Sequence, residues 1–279
     1  MNTRTMSLNG RGTARRAANS PAMDAAARWG FVARGVIYLL IGVLALQIAF
    51  GGGGKQADRG GALAEIAEQP MGSVLLWVLG IGLVGMALWR LSEALFGAAG
   101  PDGGKKGKRL LSAGRFVFYG FVAYSVLAFA AGDKGSGGGS SDQQSQDVTA
   151  KALELPGGQW IVGIVGVGIA VAGLWVGVRA VLRKYHKHLK LGQMSHRARK
   201  FTDVTGVGGG AGRGILFTAV GVFVVQAAVE YQPDKAKGFD DTLRSFTDTP
   251  AGPWLLAAVA LGLALFGIFS FAMARWRKV

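Results

Sequence analysis

Apolar residues in this chain come in long blocks, not in the short alternations of a strand or the one-sided stripes of a soluble helix. Six blocks stand out: Trp29 to Phe50, Val74 to Phe96, Leu110 to Ala131, Trp160 to Leu182, Gly214 to Val229 with a small-residue lead-in, and Trp254 to Trp276. Most are roughly 20 residues long and almost free of charge, the length a helix needs to cross about 30 Å of hydrocarbon. Lipid offers no partner to an unpaired backbone group, so the pattern predicts an all-α membrane protein with six transmembrane helices.

The blocks repeat in pairs. Arg34-Gly35-Val36-Ile37-Tyr38 lies near the start of the first block, and Arg115-Phe116-Val117-Phe118-Tyr119 and Arg213-Gly214-Ile215-Leu216-Phe217 open the third and fifth in the same way. Each returning block follows a proline, Pro70, Pro156 or Pro250, placed where its fixed φ helps start a helix. The chain therefore reads as three tandem helical hairpins. Repeat 1 covers 28–98, repeat 2 covers 109–183 and repeat 3 covers 206–279. A basic tail without regular structure occupies 1–27, and a basic linker occupies 184–205. A unit with an even number of crossings keeps its orientation, so the copies are expected to be related by a pseudo-threefold axis along the membrane normal. Gly173/Gly177 and Gly210/Gly214 have the spacing that lets helices approach closely in lipid. Leu63, Ile66 and Ala67, and later Leu243 and Phe246, predict short surface helices in the first and third outer loops, with Asp248 and Thr249 available as caps. Gly135 to Ser145 reads as a flexible linker.

The opening motif Arg28-Trp29-Gly30-Phe31-Val32-Ala33-Arg34-Gly35-Val36-Ile37-Tyr38, followed by Gly42 and Ala45-Leu46, resembles that of a bacterial membrane family, domain of unknown function 1206. The resemblance extends over nearly the whole chain beyond the tail. It implies an integral membrane protein of three two-helix repeats and brings no catalytic residues with it. The second copy departs most, with Phe116 where the others have glycine.

Composition agrees: half of the residues are hydrophobic and mean hydropathy is +0.33. The net charge of +15 would suggest nucleic acid if its placement were ignored. Lys105, Lys106, Lys108 and Arg109, the run from Arg183 to Lys200, and Arg275, Arg277 and Lys278 fall at alternate connections, together with the arginines ahead of the first block. The remaining loops hold few cations among more numerous carboxylates. This positive-inside asymmetry predicts a bacterial inner-membrane protein with both termini cytoplasmic, and it accounts for the charge without nucleic acid. Cysteine is absent, which excludes disulfides and thiolate chemistry. His186 and His188 are two residues apart, so they do not share a helix face, and neither metal nor cofactor binding is expected. The Gly80-Ile81-Gly82-Leu83-Val84-Gly85 run matches a dinucleotide fingerprint in letters only, since no strand precedes it.

The chemistry that remains is charge in the wrong solvent. Arg34, Arg115 and Arg213 recur at one position of each repeat and are the candidate site for an anion or a lipid headgroup. Glu93 is the candidate ion-pair partner of Arg34 or Arg90, and Gln47 and Gln226 are candidate interhelical pins. The expected role is non-enzymatic: a membrane component that engages lipids with anionic headgroups at the cytoplasmic face, or another membrane protein. The alternative is a channel or carrier for a small solute along the pseudo-threefold axis.

Overall fold

The computed structural model describes residues 20–51, 54–97, 105–133, 140–248 and 251–278. The arginines before Ser20, the Lys134 to Gly139 part of the Gly/Ser tract, and Thr249-Pro250 lie outside the described residues. Nine α-helices are described: α1 (Pro21–Ala49), α2 (Arg59–Ala67), α3 (Gly72–Phe96), α4 (Lys106–Ala130), α5 (Ser141–Leu153), α6 (Gly158–Val181), α7 (His196–Glu230), α8 (Phe239–Ser245) and α9 (Gly252–Trp276). Six of them, α1, α3, α4, α6, α7 and α9, are long and apolar enough to cross a membrane.

Local chemistry sets the helix starts. Ser20 accepts from the Met23 N–H and Pro21 follows it, so α1 begins seven residues inside the segment expected to be irregular. Ser195 caps α7 in the same way, and α7 therefore begins within the expected linker. Ser140 caps α5, which turns Ser141 to Ser145 into helix where a flexible tract was expected. Pro70-Met71 and Pro156-Gly157 make turns with positive φ at the second residue, 64° at Met71 and 73° at Gly157, and the long helices start directly after them.

The most extensive interfaces join the second long helix of one repeat to the first of the next: α3 with α4, α6 with α7, and α9 with α1. Small residues permit the approach. A β-carbon added to Gly214 would lie 2.8 Å from Gly177 Cα, so the two anticipated GxxxG pairs meet each other across α6 and α7. Within repeats, α1 packs on α3 and α7 on α9, whereas α4 and α6 of the second repeat, expected to pair as a hairpin, form no packed interface. One apolar cluster draws buried side chains from all three repeats, and a second, smaller one joins Val162 of α6 to Val224 and Ala227 of α7.

At the end opposite the basic connectors the three short helices lock together. Asp58, the N-cap of α2, accepts from Gly61 N–H at 2.9 Å and from Ser141 N–H at 2.6 Å. Ser141 Oγ accepts from Phe239 N–H, and Asp142 Oδ1 accepts from Asp241 N–H. Asp240 Oδ1 accepts from Ala57 N–H at 2.8 Å, which brings the path back to repeat 1. The cycle visits each repeat once. Leu63 and Leu243 of these helices are fully buried. The helices thus lie on the protein, and their apolar faces point into it.

Candidate functional site: an arginine cluster at the basic end

Two of the repeated arginines, Arg34 and Arg213, turn into the protein, and Arg115 stays exposed. Arg34 Nε donates to Ser270 Oγ at 3.1 Å, and its NH1 lies 3.4 Å from Tyr119 Oη. Its guanidinium is 4.8 Å from the Phe31 ring centroid and 5.1 Å from that of Phe266. Arg213 approaches the same Phe266 ring at 4.8 Å and also lies over Tyr38 and Phe217. The two guanidiniums are therefore within about 10 Å of each other. Arg277, immediately after α9, reaches back over Phe31 at 5.2 Å and Trp89 at 4.8 Å. Arg90 lies 4.1 Å from the Trp89 ring. Shared aromatic faces thus link Arg213, Arg34, Arg277 and Arg90 in one chain of contacts.

A single carboxylate enters this chain among the described residues. Arg90 NH1 donates to Glu93 Oε2 at 2.6 Å, and Ser112 Oγ donates to the same oxygen at 3.3 Å. Of the two partners anticipated for Glu93, Arg90 is the one found. Arg115 interacts electrostatically with Arg90, Glu93, Tyr119 and Arg213, but its side chain is exposed on the bare side of α4. Five guanidiniums therefore share one carboxylate. The Nε atoms of Arg90, Arg213 and Arg277 are buried without an acceptor among the described residues. At an effective dielectric of about 20, two cations 10 Å apart repel by roughly 1.7 kcal/mol. A cation–π contact returns roughly 0.5–2 kcal/mol. The rings offset the repulsion between neighbours and leave a surplus of positive potential aimed at whatever lies between them.

The basic linker closes this end. Lys190 N–H donates to Trp276 O at 2.8 Å, Lys278 N–H donates to His188 O at 2.8 Å, and Leu189 between them is buried. Burial first, then Arg277 and Arg179, push His188 down to about 4, so it stays neutral at pH 6 to 7. His186 Nε2 lies 2.5 Å from Asp203 Oδ1, a carboxylate that its place in the sequence does not bring near. Arg28 donates to the Ala274 and Arg275 carbonyls and Arg109 to those of Ala94 and Leu95, each at the end of the helix packed beside it.

The glutamine pins are not formed as expected. Gln226 Nε2 donates to Glu230 Oε1 of its own helix at 2.7 Å, and Gln47 is exposed. Both stand at helix ends, where water or a neighbour one turn away competes with another helix. At that end, oxygens of Asp142, Asp240 and Asp241 come within 4.8 Å of one another. Those of Asp142 and Asp240 already accept from backbone N–H groups and from Arg244.

Comparison with known proteins fits this architecture. The family described as Domain of Unknown Function (DUF1206) matches three times, at residues 29–97, 112–183 and 208–277. The chain belongs to that family. Among its relatives is a protein of Bacillus subtilis (strain 168) named Uncharacterized protein YxxB, 33% identical over 245 residues that make up 87% of each chain. No solved structure matches. The DUF1206 repeats coincide with the pairs of long helices, and each repeat contributes one of the three recurring arginines. Arg277, Tyr119, Ser270 and Ser112 were not singled out from the sequence. Tyr119 had a signal: it occupies the repeat position of Tyr38 and Phe217.

Proposed function

We propose that this chain is a non-enzymatic, multi-pass component of the bacterial cell membrane, with its basic connectors and both ends cytoplasmic, that holds an anionic phosphate-type group at the arginine cluster. The observation behind this reading is the ratio of five guanidiniums to one carboxylate in a largely buried setting. Such a surplus is expensive in a low dielectric unless an anion joins it. The continuous apolar cluster through all three repeats supports a binding role over a solute path along the axis. The positive-inside bias supports the orientation.

The test is thermal unfolding of the full chain in a neutral detergent with glycerol 1-phosphate. A ligand at about 100 times its Kd adds roughly 2.7 kcal/mol. The wild-type protein should be stabilised by the phosphate and not by chloride at equal ionic strength, and Arg213→Ala should lose most of that response. A wild-type protein indifferent to phosphate would remove the reading.

A further inference from the structure

The second repeat lacks the packing that closes the other two. In repeat 3, α7 and α9 meet backbone to backbone: a β-carbon added to Gly212 would lie 2.7 Å from Gly262 Cα, and the reverse holds at the same distance. In repeat 1, one on Gly82 would lie 3.2 Å from both Ala33 Cβ and the Trp29 carbonyl oxygen. The register of the repeats puts Gly114 and Gly168 at the corresponding places on α4 and α6. A β-carbon on either would meet nothing within 4 Å. The second repeat carries the glycines for a close crossing and does not make it.

The sequence supplies a reason. The crossing also needs a small residue one turn earlier on the first helix, at Gly30 in repeat 1 and Gly209 in repeat 3. A β-carbon on Gly209 would lie 2.5 Å from Phe266 Cα, and one on Gly30 would lie 3.0 Å from Met86 Cα. Repeat 2 has Leu111 in that position. Leu111 is 51% exposed, its isobutyl group has no room in a crossing that close, and faces that are covered in the other repeats stay bare. Trp175 is 56% exposed where its counterparts Trp89 and Phe269 are 4% and 6% exposed. Phe118 is 53% exposed where Ile37 and Leu216 are 6% and 0%.

The exposed faces of α4 and α6 have a polarity gradient. Their length is apolar, while their basic ends carry exposed Arg115 and, in the position that Glu93 occupies in repeat 1, half-buried Arg179. From Arg115 to the far end of α4 the helix runs about 22 Å at roughly 1.5 Å per residue, more than the roughly 15 Å depth of one leaflet. A soluble anion has no use for that apolar length, and an apolar helix would bring no charge to Arg115. Resting on the reading of the arginine cluster as an anion site, we infer that the α4–α6 groove seats one anionic glycerophospholipid. Its phosphate lies against Arg115 and Arg179, and an acyl chain lies along Phe118 and the Gly114/Gly168 faces. The lipid takes the place that the partner helix occupies in repeats 1 and 3.

Native mass spectrometry of the full chain, equilibrated with equal phosphatidylglycerol and phosphatidylcholine, tests this. Wild-type protein should retain phosphatidylglycerol over phosphatidylcholine by about tenfold. Ala172→Trp fills the groove and leaves every arginine in the sequence, and it should bring retention to parity while leaving stabilisation by glycerol 1-phosphate intact. Unchanged preference in Ala172→Trp, or a second polypeptide displaced by it, overturns the groove inference alone. Loss of the glycerol 1-phosphate response in wild type overturns the anion reading beneath it. A second readout needs no groove-filling variant: phosphatidylglycerol brominated in its acyl chain should quench a component of tryptophan emission that Trp175→Phe removes. Equal quenching by brominated phosphatidylcholine also overturns the inference.

Discussion

Glu93→Gln is the most revealing single change, because it removes a charge and almost no volume. The Glu93 and Arg90 side chains are 8% and 5% exposed, and their atoms meet at 2.6 Å. Deleting one partner of a buried pair leaves the other uncompensated, at a cost of roughly 3–5 kcal/mol. Here the orphaned Arg90 also stays among Arg34, Arg115, Arg213 and Arg277, so the upper part of that range is expected. At roughly 2–4 °C per kcal/mol for a chain of this size, the unfolding midpoint in detergent should fall by about 10 °C or more. Removing both partners should be far milder, since Arg90→Met with Glu93→Leu trades a desolvated pair for apolar packing. Glycerol 1-phosphate should recover more stability in Glu93→Gln than it adds to wild type, because the variant has a larger surplus to neutralise. A midpoint within about 2 °C of wild type would refute the view that Glu93 balances the cluster.

Further outcomes follow from the same structure. Gly212→Val, forced against Gly262, should destabilise by roughly 1–3 kcal/mol in thermal unfolding, whereas Gly168→Ala, facing open space, should be neutral or gain up to about 1 kcal/mol of helix propensity. Burial, and after it the charges of Asp241, Asp240 and Asp58, raise Asp142 to about 6. Its contribution to stability is complete below the ordinary carboxylate range and is lost as pH rises through about 6, so the protection of α5 amides relative to their intrinsic exchange rates should rise between pH 7 and pH 5 and should not rise in Asp142→Asn. Asp58→Ala leaves the Gly61 and Ser141 N–H groups without their acceptor and should cost roughly 1–3 kcal/mol, read as faster exchange in α2 and α5 together. Reporter fusions in the Lys105 to Arg109 connector should report the cytoplasm, and an outside location would overturn the proposed orientation.

The long helices were legible because lipid imposes one rule on every residue it surrounds, and the repeat was legible because Arg34, Arg115 and Arg213 keep register through it. The short helices were harder to see. Ser141–Leu153 is polar, and it is held by a Ser140 cap and by contacts to Asp58 and Asp241 that lie far apart in sequence. A hint was present in the acidic residue at the start of each short outer helix, Asp58, Asp142 and Asp240. The arginine site was half legible. Register singled out Arg34 and Arg213, but nothing local to Arg277 says that it folds back over Phe31 and Trp89. The separation of α4 from α6 accompanies Leu111 and Phe116, two large residues where both sibling repeats have glycine.

The contact between α9 and α1 means that neither end of the repeat array is a true end. Arg28, at the start of the first repeat, is hydrogen-bonded to the last turn of the third, as Arg109 of the second repeat is to the first. A gene rearranged to begin at the second repeat, with a short linker joining the old carboxyl end to the old amino end, should encode the same body. The order in which the three units are made would then be a matter of history, not a requirement of assembly.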